Sequence, residues 1–386
     1  MVIYLFVFFV CIVSTAIAER SANKRNKLML VIFSAVAILA PSVVAGCRDS
    51  GIGTDTLIYA DEIWYQMKYI QSFDDLLRSY EQGEWASVEP VYLLINFVAT
   101  FFGDKVQWAY FFTNLTVVTL IYLSVYDNRK QAPMWLGMAI FCFIYYNMSM
   151  NLIRQSIALA ICVYSIKFFE RKDWLRLFIC LLLMMNAHNT GVFFCGFILF
   201  SVVFLYMKHG AKRNTLLITI FGGILLIFLI YDALLVMAVS WGIVPVKYLM
   251  YISEDSRSGI GKSNLMTCLY FLMVLYMGLR IVSKKRMNGF LILVSKYYVF
   301  GKCLGTIILL TSSISLWAFR LSYYFNMAID LLFVPRAIYQ LRTRSKSLYI
   351  VMSVITVCFC MVMWYWLIIL RGEHATFPYK SKILDF

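Results

Sequence analysis

Several polar side chains at the edges of apolar runs have the chemistry of a substrate site. Arg154 lies beside Asn151 and Gln155 where the apolar run after "NLIRQ" begins. A guanidinium with two amides beside it offers a dense group of hydrogen-bond donors. His188 in "NAHNTG" and Asp55 in "GIGTD" are of the types that act as general acids and bases. Ionisable residues within apolar segments are rare, and a functional site is their default interpretation.

Each of these residues also has a plain structural interpretation. An arginine at the end of a membrane helix can extend to the interface with no further role, and this applies to both Arg154 and Arg320. A single histidine such as His188 is more often structural than catalytic. The glycines near Asp55 resemble a turn as much as a site. The aromatic residues of the same region are as typical of an interfacial belt as of a sugar-binding face.

The elements that must position these residues are membrane helices. The chain has 386 residues, of which 62% are hydrophobic, 17% aromatic and only 14% charged. Soluble domains are nearer half apolar and a quarter charged. Apolar stretches of about 20 residues, the length that crosses a bilayer, recur along the whole chain. The composition predicts an all-α protein, a polytopic transmembrane helical bundle that forms a single domain over residues 1–386.

The net charge of +15 could suggest a nucleic acid partner, but its distribution argues against one. Lys and Arg occur in short clusters between apolar runs, as the positive-inside rule predicts for cytoplasmic connectors. The clusters are Arg20–Lys27, Arg129–Lys130, Lys167–Arg176, Lys208–Arg213, Arg280–Arg286, Lys296–Lys302 and Arg336–Lys346. The cysteines lie mostly inside apolar runs, with no C-x-x-C, so no structural metal site is predicted.

Cytoplasmic basic clusters place the longest polar stretch, Cys47–Ser87, on the outer side, where its 8 acidic residues outnumber 3 basic ones. The first apolar run lacks a basic region before it, so a retained helix is predicted rather than a signal peptide. About twelve spans, with both termini outside, fit this arrangement. They lie near 2–18, 28–46, 106–126, 133–147, 151–168, 174–187, 190–207, 215–241, 265–282, 303–317, 319–335 and 347–370.

Residues 88–103 are also apolar, but a full crossing there would put the Arg129–Lys130 cluster outside. An interfacial or re-entrant helix is predicted instead. It lies in an outer loop over residues 47–105, which also contains an amphipathic stretch rich in Tyr and Trp. No internal repeat is evident, so the inverted-repeat plan of many secondary transporters gains no support.

The candidate residues, which were not needed to choose this orientation, all fall on the outer side. They also include aromatic and amide residues of the late motif "FRLSYYFN" and of the closing "FPYK". The full set is Arg48, Asp55, Tyr59, Asn151, Arg154, Gln155, His188, Arg320, Tyr324, Asn326 and Tyr379. Their convergence on one side is the strongest sequence indication of a site.

Five short motifs in matching order resemble the EpsG family. They are R…G-T-D…Y (Arg48–Tyr59), N-x-x-R-Q-x-I-A (Asn151–Ala158), A-H (Ala187–His188), R-x-S-Y-Y-F (Arg320–Phe325) and P-Y-K (Pro378–Lys380). The resemblance covers nearly the whole chain. One departure is that Asn189 follows the motif histidine, where family members often have a hydroxyl residue.

The resemblance implies a Wzy-like polymerase of exopolysaccharide, capsule or O-antigen repeat units on polyprenyl diphosphate carriers such as undecaprenyl diphosphate. It implies a fold similar to C-type glycosyltransferases, in a bacterial plasma (inner) membrane. The reaction would be a glycosyltransferase step without cofactor, and with no metal cluster evident we expect it to be metal-independent. Expected partners are lipid-linked oligosaccharides as donor and acceptor, membrane lipids, a chain-length regulator and a flippase.

In that reaction, negative charge develops on the diphosphate that leaves the donor sugar. Arg154 and Arg320 are predicted to bind it through charge-assisted hydrogen bonds. Either His188 or Asp55 is predicted to accept the proton of the acceptor hydroxyl. The remaining residues are predicted to bind the substrate. They are Arg48, Asn151, Gln155, Tyr59, Tyr324, Asn326 and Tyr379.

Two other functions stay open from the sequence. A flippase or transporter of lipid-linked oligosaccharides needs charges along a path that reaches both faces, whereas the cytoplasmic charges here fall mainly in connectors. An O-antigen-type ligase uses nearly the same chemistry as a polymerase. Chain-length analysis separates these two, because loss of a ligase leaves long polymer on its carrier.

Overall fold

The computed structural model describes residues 1–207, 210–242, 246, 249, 262–284, 289–310 and 316–385. Every regular element among these residues is helical, so the predicted all-α class is confirmed. The chain forms two compact units, unit 1 (Met1–Gly191 with Ile350–Phe386) and unit 2 (Val192–Tyr349).

Unit 1 begins with a helical hairpin and continues into a long loop with short helices. Asn26 sets the start of the second helix, because its side chain accepts a hydrogen bond from the Met29 amide at 3.2 Å. The first elements are α1 (Val2–Asn23), α2 (Lys27–Gly46), a π-helical turn (Thr56–Ala60), α3 (Asp61–Met67), α4 (Phe73–Glu81) and α5 (Pro90–Thr100).

The rest of unit 1 is built from long helices and a closing tail. They are α6 (Gln107–Asp127), α7 (Met134–Ile140), a π-helical turn (Phe141–Tyr145), α8 (Tyr146–Asn151), α9 (Ile153–Arg171) and α10 (Trp174–Ala187). A short 3-10 turn (Asn189–Gly191), α18 (Lys346–Trp364), a π-helical segment (Tyr365–Leu370) and a second 3-10 turn (Glu373–Ala375) complete it.

The long helices of unit 1 run alternately between two ends of the bundle. We call the end that carries residues 47–105 the loop end. There the Gln107 side chain of α6 donates to the Arg48 carbonyl at 3.5 Å. At the opposite end, Lys167 of α9 pairs with Asp127 of α6 at 2.7 Å. This alternation matches the order of crossings predicted for the first half of the chain.

Helix α5 corresponds to the apolar stretch 88–103, which was predicted not to cross the membrane. It has 11 residues, about 16 Å of helix, which is roughly half of the hydrocarbon thickness of a bilayer. Pro90 at its first turn fixes where it begins. The observed length agrees with the predicted interfacial or re-entrant helix.

Unit 2 consists of longer helices with one π-helical interruption. They are α11 (Val192–Tyr206), α12 (Ala211–Leu229), α13 (Tyr231–Ser240), α14 (Lys262–Lys284), α15 (Gly289–Leu310), α16 (Leu316–Ala328) and α17 (Val334–Leu341). The π-helical turn Ile329–Phe333 joins α16 to α17 just before Pro335. Proline lacks the N–H that a regular helix needs, so the wider turn removes this conflict.

The predicted connector Lys296–Lys302 is wrong, because both lysines lie within α15. Lys302 is fully buried and its Nζ contacts the two carboxylate oxygens of Asp330 at 2.7 and 2.8 Å. A buried lysine needs such a counterion, since desolvation otherwise disfavours its charge. The predicted spans 303–317 and 319–335 shift accordingly to α15 and to the continuous segment α16–α17.

Six helices among the described residues are long and apolar enough to cross a membrane. They are Val2–Asn23, Lys27–Gly46, Gln107–Asp127, Asn189–Tyr206, Asn264–Ser283 and Lys346–Leu370. The chain is therefore a membrane protein, and the count of about twelve spans stays a prediction. Parts of the basic clusters Lys208–Arg213 and Arg280–Arg286 lie outside the described residues.

Candidate functional site

Three of the five sequence motifs meet at the loop end of unit 1, and Asn151 joins two of them. Its Oδ1 accepts a hydrogen bond from the Thr54 hydroxyl at 2.9 Å and from the Asp55 amide at 3.3 Å. Asn151 is the last residue of α8 and lies two residues before the start of α9. The amide therefore holds the G-T-D segment against the start of α9.

Gly53 makes this close approach possible. Its φ is +91°, a conformation that side chains with a Cβ rarely adopt. A Cβ at this position would lie 2.9 Å from the carbonyl oxygen of Met150 and 3.2 Å from the Cα of Asn151. Glycine is thus required at this position for two reasons. Its φ is positive, and a Cβ would be too close to the backbone of Met150 and Asn151.

The C-terminal tail forms the third part of this assembly. The Gly53 amide donates to the Ala375 carbonyl at 2.8 Å, and the Asp49 amide donates to the Lys380 carbonyl at 3.0 Å. The Lys382 amide returns to the Asp49 carboxylate at 2.9 Å. The tail consequently runs along the first residues of the long loop, so the first and last motifs are neighbours in space.

Arg48 is buried beneath this assembly, with 2% of its surface exposed. Its guanidinium donates at 3.0 Å to two carbonyls, Ala45 at the end of α2 and Met150 at the end of α8. It also lies 4.5 Å from the ring centroid of Tyr110, whose hydroxyl donates to Asp61. Burial lowers the pKa of Arg48. Arg48 was predicted to bind the substrate, but in the structure its guanidinium binds backbone carbonyls.

Arg154 lies at the same end but in a different environment. Its Nη1 contacts the Glu89 carboxylate at 2.7 Å and the Ser87 carbonyl at 3.2 Å. The guanidinium stacks on Tyr59, 4.4 Å from the ring centroid. Both of its hydrogen bonds to described residues are made by Nη1, and the side chain is 15% exposed. The Nη2 and Nε edge of the Arg154 guanidinium is therefore available to a further acceptor.

The other predicted residues of unit 1 surround these two arginines. Gln155 is buried beside Arg154, and Asp55 is partly exposed at the start of the π-helical turn. Tyr379 is buried, and its hydroxyl donates to the Val44 carbonyl at 2.8 Å. Burial raises the pKa of Tyr379. This tyrosine secures the tail to α2, a role that the prediction of substrate binding did not include.

His188 immediately follows α10 in an extended conformation. The Thr190 amide donates to its Nδ1 at 3.3 Å, and the Thr190 hydroxyl contacts the same atom at 2.6 Å. Because Nδ1 accepts the amide proton, the neutral ring carries its own proton on Nε2. Thr190 thus fixes the tautomer of His188, and Nδ1 is already engaged in the state described.

Unit 2 contains the remaining predicted residues. Arg320 is partly exposed on α16, whereas Tyr324 and Asn326 on the same helix are buried. The Asn326 amide packs against Gly305 of α15, where any Cβ would overlap it. Its Oδ1 has no hydrogen-bond partner in the part of the chain that the structure describes. The roles assigned to Arg320, Tyr324 and Asn326 stay predictions.

Two residues at the loop end were missed by the sequence analysis. Glu89 pairs with Arg154, and its signal was an acid directly before Pro90 at the start of an apolar run. His374 lies with its Nδ1 3.5 Å from the Asn151 amide nitrogen. Its signal was its place four residues before the P-Y-K motif.

The assembled side chains offer cationic and hydrogen-bonding groups. No cluster of three or more His, Cys, Asp or Glu that could hold a metal ion occurs among the described residues. Arg154 supplies a partly exposed positive charge, and Asn151 supplies an amide at the adjacent helix end. Such a group can bind an anion at the end of the helical bundle.

Comparison with known proteins agrees with the motif assignment. The family model described as "EpsG family" matches residues 31–381. No curated protein and no solved structure matches the chain. The matched range covers nearly the whole chain and contains all five motifs. The chain therefore belongs to the EpsG family.

Proposed function

We propose that this protein is a polymerase of lipid-linked polysaccharide repeat units. It transfers the growing glycan from a polyprenyl diphosphate carrier to an acceptor repeat unit at the outer face of a bacterial plasma membrane. The acceptor hydroxyl oxygen forms a bond to the anomeric carbon of the donor while the bond from that carbon to the diphosphate oxygen breaks. A base takes the hydroxyl proton, and polyprenyl diphosphate leaves.

The observation that carries this proposal is the environment of Arg154. Its charge is partly exposed, one face of its guanidinium packs on the ring of Tyr59, and its hydrogen bonds to described residues use Nη1 alone. A planar guanidinium with free donors suits a diphosphate, which accepts bidentate, charge-assisted hydrogen bonds. These bonds strengthen as negative charge develops on the leaving diphosphate, which is how such groups lower a barrier.

The base is assigned to the same residues that the sequence suggested, His188 or Asp55. Asp55 is favoured by its position, since its backbone is held by Asn151 one turn from Arg154. His188 would first have to release Nδ1 from Thr190, or change tautomer so that Nδ1 carries the ring proton and Nε2 accepts. Arg320 remains a second candidate for the diphosphate.

The proposal is tested by Arg154→Ala and Arg154→Lys in cells, with analysis of polymer and lipid-linked intermediates. We expect Arg154→Ala to slow polymerisation by about 100- to 1000-fold and single repeat units to accumulate on the carrier. Lysine keeps the charge but loses the planar fork, so an intermediate defect is expected. Arg171→Ala, on the same helix but 59% exposed at the opposite end, is the control.

Normal polymer from a stably inserted Arg154→Ala variant would rule out this role of Arg154. The main alternative function is a flippase. The side of the membrane on which lipid-linked repeat units accumulate in a deletion strain distinguishes it from a polymerase. A polymerase defect leaves them on the outer face, whereas a flippase defect leaves them on the inner face. Long polymer retained on its carrier would instead indicate a ligase.

A further inference from the structure

Glu89 occupies part of the position that an anion would take on Arg154. Its Oε2 lies 2.7 Å from the arginine Nη1, and its side chain is 8% exposed. The Ser87 carbonyl lies 3.2 Å from the same nitrogen. Arg154 is therefore partly neutralised before any substrate binds.

The contacts of Glu89 suit a carboxylate that can be exchanged. Its backbone is fixed, because its carbonyl accepts from the amides of Tyr92 and Leu93 at the start of α5. Its side chain does not cap that helix. A carboxylate released from Arg154 can turn toward the N-terminus of α5, where the positive end of the helix dipole stabilises negative charge.

A diphosphate is a stronger competitor for Arg154 than one carboxylate, because it carries more charge and more acceptor oxygens. The exchange also keeps an anion beside the arginine at every stage. This avoids the cost of leaving a partly buried cation without a partner. The same exchange in reverse removes the diphosphate product.

We propose that Glu89 is an exchangeable counterion that leaves Arg154 when the donor diphosphate binds and returns to it when polyprenyl diphosphate departs. This inference rests on the proposed function. Glu89 is a positioning residue in this scheme and not the base. It shares Arg154 with the leaving group, whereas the base must face the acceptor hydroxyl on the opposite side of the anomeric carbon.

The test uses the full-length protein in lipid nanodiscs. The probe is farnesyl diphosphate, a short-chain and more soluble analogue of the polyprenyl diphosphate product. With Glu89→Gln, we expect the probe to bind roughly fivefold more tightly, since the competing charge is removed. Polymerisation over many turnovers should slow because product leaves slowly, while the first turnover should be as fast as in the wild type. Glu89→Asp, which keeps the charge, should restore release.

Asp127→Asn is the matched control, because the Lys167–Asp127 pair has the same 2.7 Å separation at the other end of α9. It should change neither probe affinity nor the ratio of first to later turnovers. A thermal unfolding curve for each variant reports any general loss of stability.

The outcomes separate the two proposals. If Glu89→Gln binds the probe as the wild type does, or more weakly, while Arg154→Gln abolishes binding, the exchange is wrong and the role of Arg154 stands. If Arg154→Gln binds the probe as tightly as the wild type, the proposed function fails at its main residue. If Glu89→Gln slows the first turnover as much as later ones, Glu89 is not an exchangeable counterion.

Discussion

Arg48 and Arg154 belong to two motifs that meet at one end of unit 1, yet the fold uses them differently. Each guanidinium stacks on a tyrosine, with centroid distances of 4.5 Å to Tyr110 and 4.4 Å to Tyr59. Arg48 bonds to two backbone carbonyls, whereas Arg154 pairs with the Glu89 carboxylate and keeps two nitrogens unbonded to described residues. The two arginines therefore differ in the group that each guanidinium binds, and their motifs alone do not show this difference.

The carbonyls that hold Arg48 lie at helix ends, where backbone oxygens have no partner within their own helix. Ala45 is in the last turn of α2 and Met150 in the last turn of α8. The negative ends of both helix dipoles compensate the arginine charge. Arg48 therefore fastens two helices together, while Arg154 is held by a group that another anion can replace.

The largest effect of a substitution is expected at Arg48. Arg48→Ala should lower the free energy of unfolding by about 2–5 kcal/mol, because it leaves two buried carbonyls unsatisfied and a cavity beside Tyr110. Unfolding of the detergent-solubilised protein measures this loss. Arg78→Ala, at an exposed position in the same loop, should change stability by less than about 0.5 kcal/mol. Equal behaviour of the two variants would contradict the fastening role.

A smaller loss of stability is expected at Gly53, which holds the first motif against α8. Gly53→Ala should cost about 1–3 kcal/mol through backbone strain and the contact with the Met150 carbonyl. Gly83→Ala is the control, since Gly83 has a φ of +81° but nothing within 4 Å of the added Cβ. It should show the strain alone. A loss at Gly83 as large as that at Gly53 would mean that the close approach does not matter.

The smallest effect is expected at the aromatic support of Arg154. Tyr59→Leu should weaken binding of farnesyl diphosphate by about two- to fivefold, since a cation–π contact at a partly exposed site contributes about 0.5–1 kcal/mol. Tyr59→Phe keeps the ring and should bind nearly as the wild type does. Titration of the probe against each purified variant measures the difference. Equal weakening by both variants would indicate that the hydroxyl, and not the ring, supports the site.

The sequence was sufficient for the all-α class, for the alternation of the first helices and for the short helix at 88–103. It also identified the motifs of Arg48, Asn151 and Arg154. These predictions rest on apolar length and on the distribution of Lys and Arg, which are local properties of the chain. Which motifs touch was not predictable, because 97 residues separate Thr54 from Asn151 and no local pattern records that contact.

The sequence pattern also did not predict which acidic residue pairs with which basic residue. Glu89 stands among many acids of the outer loop, so nothing marked it as the counterion of Arg154. Lys302 was assigned to a basic connector, since the positive-inside rule treats each lysine between apolar runs alike. An Asp330 within a later apolar run was the missing signal, because a buried acid and a buried base require each other.

A reconstituted reaction tests whether this protein elongates lipid-linked glycans. Purified protein in liposomes is given lipid-linked repeat units, and glycan length and released polyprenyl diphosphate are measured together. We expect one released diphosphate for each new glycosidic bond, at a rate that Arg154→Gln lowers by about 100- to 1000-fold. Movement of the lipid across the bilayer without elongation, or elongation by Arg154→Gln at the wild-type rate, would contradict it.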